Sequence, residues 1–253
     1  MKRLLSAFNL GDSYEIEARI LPAALVVVPA IVLVLDLELS EQQWLHAVGL
    51  GFGLEVFLAV AVSKVAHGFG RRLEATLIRE WGGLPTERWL MPDDKTHSEQ
   101  QKSKWRATLA RLSGLDLNVA LRSGDFDEYS RLVRDAVAAT RQKLREGPKV
   151  YLLKRHNAGY GFARNAAGMR WLAVGVSGAA AVCSAALCVA GKASLGVLLL
   201  SVVFLLVVVG HSIVARSYVR YCAERYAETF FAAASNLADV RNERTTSSNT
   251  VND

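Results

Sequence analysis

The stretch LGVLLLSVVFLLVVVGHSIVA, residues 195–215, contains no charged side chain and consists mostly of leucine and valine. At a rise of about 1.5 Å per residue, these positions form a helix of roughly 30 Å, which is the thickness of the hydrocarbon core of a bilayer. The stretch therefore predicts a membrane-spanning helix.

Three further apolar blocks predict companion spans at residues 20–35, 44–65 and 171–191. Pro29 lies inside the first block and should kink it, which neighbouring helices in a membrane tolerate. The linker Gly191–Ser194 is short and predicts a tight turn between the last two spans. The spans thus form two hairpins, at residues 20–65 and 171–215.

The distribution of basic residues orients these hairpins. Residues 71–170 hold 20 Lys/Arg and 12 Asp/Glu, whereas Lys192 is the one base in the two short links. By the positive-inside rule, both termini and the central segment face the cytoplasm. We therefore expect a cytoplasmic arm at residues 1–19, a cytosolic insert at 66–170, a cytosolic helix at 216–238 and a disordered tail at 239–253. No cleavable signal peptide is expected.

The insert shows helical periodicity and no long alternating strand pattern, so we expect an all-α protein. Gly82-Gly83 predicts the end of the helix that leaves the second span. The spacings Thr96 to Glu99 and Asp125 to Glu128 predict capping boxes at two helix starts. The second helix carries an apolar stripe at Tyr129, Leu132, Val133, Val137 and Leu144.

Two motifs in this region resemble a family of uncharacterised bacterial multi-spanning membrane proteins. The first is Gly70-Arg71-Arg72-Leu73-Glu74 followed by Trp81-Gly82-Gly83-Leu84-Pro85-Thr86, and the second is Asn157-Ala158-Gly159-Tyr160-Gly161-Phe162-Ala163-Arg164-Asn165. The family often has an acidic residue before the asparagine, where this chain has His156. The resemblance implies the multi-span architecture and an association with bacterial stress or phage defence.

Glu55 stands out because it lies near the middle of the second predicted span. An ionisable side chain there costs roughly 2.5–3.5 kcal/mol on insertion scales. A protonated carboxyl bonded to a polar neighbour and a pore or proton-linked role both explain it. Gly49 and Gly53 precede it with the small-xxx-small spacing that lets helix backbones approach closely.

The second motif lies just before the third span, at the cytoplasmic interface. One interpretation is a helix junction, in which the glycines permit close contact and Arg164 meets lipid headgroups. The other is a hinge or ligand contact that couples the insert to the spans. Its candidate residues are Asn157, Tyr160, Gly161, Arg164 and Asn165, with Trp81 and Thr86 from the first motif.

Other functional classes find little support in the sequence. The three cysteines have no metal-ligand spacing, and no nucleophile elbow or phosphate loop appears, so we expect neither an enzyme nor a metal or cofactor. The basic insert, with Trp81, Trp89, Trp105, Tyr129 and Tyr151, could bind nucleic acid, but the topology already requires a positive cytosolic face, so nucleic acid is not an expected partner.

The sequence leads to one principal hypothesis, which is an oligomeric pore-type or membrane-perturbing effector in the bacterial inner membrane. Its expected partners are the lipid bilayer, further copies of itself, and a regulator, either a cytosolic protein or a small molecule, that acts on the insert. The alternative is a non-conducting scaffold or sensor that recruits a cytosolic partner.

Overall fold

The computed structural model describes the backbone of residues 16–38, 44–145 and 151–249, and side chains within 16–33, 62–145 and 151–240 apart from residues 120 and 123. Every regular element in these ranges is helical, which confirms the all-α prediction. The elements are a π-helical turn (Ile16–Ile20), α1 (Leu21–Glu38), α2 (Trp44–Trp81), α3 (Pro85–Arg88), α4 (Glu99–Ser113), α5 (Leu117–Ser123), α6 (Phe126–Arg145), α7 (Tyr151–Val189) and α8 (Leu195–Asn249).

Three helices in the described part of the chain are long and apolar enough to cross a membrane. They are Ile16–Leu33, Tyr151–Val189 and Leu195–Val240, judged by length and composition. Only 11% of the most apolar window of α8 is buried within the protein, so its apolar surface faces outward. Such a surface is typical of a helix solvated by lipid.

The chain divides into two compact units. The first unit comprises Met1–Thr76 and Ala158–Cys222, and the helical lobe comprises Leu77–Asn157 and Ala223–Asp253. The lobe therefore differs from the insert expected at 66–170, because the last part of α8 belongs to it. The physical reason is that Phe230 and Phe231 of α8 are fully buried in the lobe core.

The lobe core is built mainly on α6. Tyr129, Val133, Val137 and Leu144 are buried there, as the apolar stripe predicts. Trp105 stacks on Phe231 with ring centroids 4.1 Å apart. The aromatic rings of α4 and α8 thus meet in one hydrophobic cluster.

Helix ends in the lobe follow local chemistry. α2 ends at Trp81, and Gly82 has a φ of 72° that glycine adopts without strain, which confirms the predicted stop. Asp125 accepts a hydrogen bond from the Glu128 amide at 2.9 Å, so its role as a cap is also confirmed.

The capping box predicted from Thr96 is wrong. Ser98 caps α4, and its Oγ accepts from the Gln101 amide at 3.2 Å. The Thr96 amide donates instead to Asp94 Oδ1, which holds Thr96 in the turn before the helix.

In the first unit, α7 and α8 are joined by the tight turn predicted at Gly191–Ser194. Gly191 has a φ of 68°, and the Lys192 amide donates to the Leu187 carbonyl at 2.8 Å, so the chain reverses within a few residues. Ser184 Oγ and Ser201 Oγ lie 3.1 Å apart and set the register of the two helices. Another apolar cluster in this unit joins side chains of α1, α2, α7 and α8, namely Ala23, Val26, Ala66, Met169, Ala173 and Val208.

α1 and α8 are both longer than the sequence predicts. Pro29 lies inside α1, which continues to Glu38. The helix predicted to end at residue 238 continues to Asn249, since no proline or glycine occurs in residues 239–249 to stop it.

Candidate functional site

A close crossing of α2 and α7 forms the base of the candidate site. A Cβ atom added at Gly168 would lie 2.7 Å from the backbone nitrogen of Gly70 and 2.7 Å from the carbonyl carbon of Phe69. Real Cβ atoms do not approach a backbone so closely, so the crossing requires glycine at residue 168. The first motif of the sequence, through Gly70, therefore lies against α7 a few residues beyond the second motif.

Glu74 lies one helical turn beyond Gly70 and joins the two motifs electrostatically. Its Oε2 accepts from Arg164 Nη1 at 2.9 Å, and its Oε1 accepts from the Tyr160 hydroxyl at 2.8 Å. The side chains of Arg164 and Glu74 are 11% and 19% exposed. Both oxygens of a mostly buried carboxylate are thus occupied by donors from one face of α7.

Asn165 extends the network to a third segment. It is fully buried, its Nδ2 donates to the Ala18 carbonyl at 2.6 Å, and its Oδ1 accepts from Arg164 Nε at 3.3 Å. Ala18 lies within the π-helical turn before α1. π-Helical turns often occur at functional sites. We call Glu74, Tyr160, Arg164, Asn165 and the Ala18 carbonyl the Glu74 cluster.

The contacts of the Glu74 cluster are those of a group that holds helices together. Arg164 also lies over the Tyr160 ring, 5.9 Å from its centroid, so the cation has contacts on two sides. The Glu74 carboxylate is mostly buried and each of its oxygens already accepts a hydrogen bond within the cluster, so little of it is accessible to a substrate. The cluster instead ties the π-helical turn, α2 and α7 together in one arrangement.

The structure brings together some of the predicted site residues and separates others. Tyr160, Arg164 and Asn165 meet in the Glu74 cluster, and Gly161 is buried in the same stretch of α7. Asn157 belongs to the helical lobe, where it is half-buried.

Trp81 and Thr86 also belong to the lobe. Trp81 is the half-buried last residue of α2, and Thr86 is buried in α3. The Thr86 hydroxyl has no hydrogen-bond partner among the described residues. These two predicted residues therefore belong to a different part of the molecule from the Glu74 cluster.

The intramembrane candidates lie on α2, but their side chains are outside the described residues. Glu55, Gly49 and Gly53 occupy helical positions in Trp44–Trp81. The backbone agrees with the helix expected there, and the roles of these three residues stay predictions.

Glu74 had no predicted role of its own, although it is central to the site. The available signal was its place in the Gly70–Glu74 stretch, since residues four apart share a helix face. Gly168 had no such signal, because nothing local distinguishes it from the other glycines of α7.

A second network, in the lobe, also had no predicted role. Lys102 is almost fully buried, and its ammonium group donates to the carbonyls of Met91 and Asp94 and pairs with Glu99 Oε1 at 2.9 Å. Arg106 pairs with the other oxygen of Glu99 at 3.0 Å. These contacts hold the loop before α4 against that helix.

Across the ranges that the structure describes, no group of three or more His, Cys, Asp or Glu side chains could hold a metal ion. Comparison of the whole chain with protein-family profiles, with curated proteins and with solved structures finds no match, so the family resemblance of the two motifs stays a prediction.

Proposed function

We propose that this protein is a bacterial inner-membrane protein with four spans and both termini in the cytoplasm. The three apolar helices support three of the spans, and the apolar block at residues 44–65, which is helical in α2, is the proposed fourth. The apolar cluster that joins α1, α2, α7 and α8 supports a four-helix bundle. The excess of basic residues in 71–170 supports the orientation.

Within this architecture, we propose an oligomeric, regulated effector of pore or membrane-perturbing type. The observation that carries the proposal is the Glu74 cluster, in which the two sequence motifs pair. A buried, fully bonded ion pair over a glycine crossing selects one helix arrangement, and opening it would release the helices together. α2, α7 and α8 each continue from one unit into the other. A conformational change that a regulator causes in the lobe could therefore pass along these helices to the bundle.

The experiment that tests this function is a dye-release assay on liposomes containing the purified chain. Glu55→Gln and Gly53→Leu should each reduce the leak about tenfold or more, because one removes the ionisable group of the second span and the other blocks close helix contact. Glu128→Gln, an exposed change on α6, serves as the control and should leave the leak unchanged. Equal leak from both span variants and the parent chain would remove the pore proposal.

The alternative function is a non-conducting scaffold, and one observation favours it. Val119 and Phe126 expose large apolar side chains on the lobe, as a recruiting surface would. In that case Phe126→Ser should weaken recruitment of the cytosolic partner, and the liposomes should show no leak above protein-free vesicles.

A further inference from the structure

Two arginines of the first unit lie at matching depths on α7 and α8. The contact between Ser184 and Ser201 sets the register of the hairpin. Arg170 lies fourteen residues before Ser184, and Arg216 lies fifteen residues after Ser201. At about 1.5 Å per residue, both are about 21–23 Å from the serine contact, at the same end of the apolar stretch.

Arg170 and Arg216 carry like charges at this common depth of the hairpin. Partial burial, and after it the positive charge of Arg216, lowers the pKa of the Arg170 guanidinium below its ordinary value. Among the described residues, Arg170 has no acidic partner, and its Nη1 donates to the Ala167 carbonyl at 2.8 Å. Two guanidinium groups at one depth on neighbouring helices can supply a phosphate with charge-assisted donors from both sides.

The surroundings indicate the depth of membrane headgroups. Trp171 is 69% exposed, and Arg170 lies over its ring at 5.4 Å from the centroid. Tyr218 and Tyr221 are also exposed, one turn apart on α8. Tryptophan and tyrosine concentrate where the hydrocarbon core meets the headgroups, and arginine binds phosphate through its planar set of donors.

We propose that Arg170 and Arg216 together bind the phosphate of an anionic phospholipid in the cytoplasmic leaflet, with the Trp171 indole beside it at interfacial depth. This site rests on the proposed membrane placement of α7 and α8 and does not depend on pore activity. Free phosphate offers the same chemistry, so the experiment compares the two sources.

The test measures lipids retained by the full chain in native mass spectrometry, after incubation in detergent with equal amounts of phosphatidylglycerol and phosphatidylcholine. The parent chain should retain phosphatidylglycerol preferentially. Arg170→Gln and Arg216→Gln should each reduce its affinity about tenfold, which is the loss of one charge-assisted hydrogen bond. Arg216→Lys keeps the charge without the planar donors and should give a smaller loss.

The control is Arg122→Gln, which removes an exposed arginine of α5 and should leave lipid retention unchanged. Equal retention of the two lipids, or unchanged retention in both glutamine variants, would overturn the proposal. Displacement of the lipid by millimolar inorganic phosphate would also overturn the lipid assignment. Flotation with vesicles is a separate readout, since a parent chain that stays in the soluble fraction would refute the membrane placement itself.

Discussion

The Tyr160 hydroxyl donates one of the hydrogen bonds that hold the Glu74 cluster together. Tyr160→Phe removes the hydrogen bond to Glu74 and leaves a mostly buried carboxylate oxygen without its donor. We expect a loss of about 1.5–3 kcal/mol, the range for hydrogen bonds to charged groups, and a lower midpoint of thermal unfolding in detergent. Tyr151→Phe is the control, because Tyr151 is 76% exposed and its change should fall within about 0.5 kcal/mol. Equal midpoints for the two variants would contradict the role of the cluster.

The carboxyl of Glu87 in α3 should make the stability of the lobe depend on pH. Burial raises the pKa of its carboxyl above the ordinary value, and the charges of Arg141 and Arg134 offset part of that rise. The folded lobe therefore binds the proton more tightly than the unfolded chain, so this group contributes a loss of stability as pH rises through the window between the ordinary pKa and the raised one.

The measurement for Glu87 is unfolding followed by tryptophan fluorescence between about pH 4 and pH 8, on either side of the carboxyl range. Glu87→Gln should remain more stable than the parent at neutral pH and lose less stability as pH rises. Glu128→Gln, an exposed change on α6, should retain the slope of the parent chain. A Glu87→Gln slope identical to that of the parent would refute the pKa shift.

At the scale of whole helices, the crossing of α2 and α7 leaves no room for a side chain at Gly168. In Gly168→Ala the new methyl group would meet the backbone of Phe69 and Gly70, so the helices must separate. We expect a loss of about 1–3 kcal/mol, as for other overpacked sites, and a lower unfolding midpoint in detergent. At Gly178, a Cβ atom has no neighbour within 4 Å, and alanine is the better helix former, so Gly178→Ala should cause no loss. Destabilisation by both variants alike would show that the crossing is not the cause.

The division of the molecule into two units also predicts the effect of shortening the chain. Removal of residues 223–253 deletes Phe230 and Phe231 from the lobe core. The loss of one such side chain costs about 3–5 kcal/mol, and a whole domain is stable by only about 5–15 kcal/mol. The lobe should therefore unfold, and limited proteolysis should cut it within α4 to α6.

A chain that ends at Val240 keeps these core residues and is the matched control, in which the lobe should resist the protease. The isolated segment 66–170 lacks both phenylalanines and should show no cooperative unfolding transition. A cooperative transition in that segment would mean that α8 is dispensable to the lobe.

Much of the local structure was readable from the residues alone. Apolar blocks of span length, the basic middle segment, the stop at Gly82 and the cap at Asp125 depend on neighbours within about one turn. The helical character and the buried stripe from Tyr129 to Leu144 follow from the same short-range periodicity. The cap predicted at Thr96 is wrong, because Ser98, two residues later, is the residue whose side chain accepts from the first turn of α4.

The contacts that build the candidate site required the tertiary structure. Glu74 and Arg164 are 90 residues apart, and Asn165 reaches a carbonyl 147 residues away. Such pairs leave no periodic signal in one sequence, because the partner of a charged side chain depends on which helices pack together. The same reason applies to the predicted cytosolic helix 216–238, since nothing in its sequence shows that Phe230 and Phe231 pack in the lobe core. The sequence alone determines where the helices form, because hydropathy and capping act over short range. The tertiary structure is needed to decide which side chains meet in the Glu74 cluster and in the lobe core, because those contacts depend on packing between distant segments.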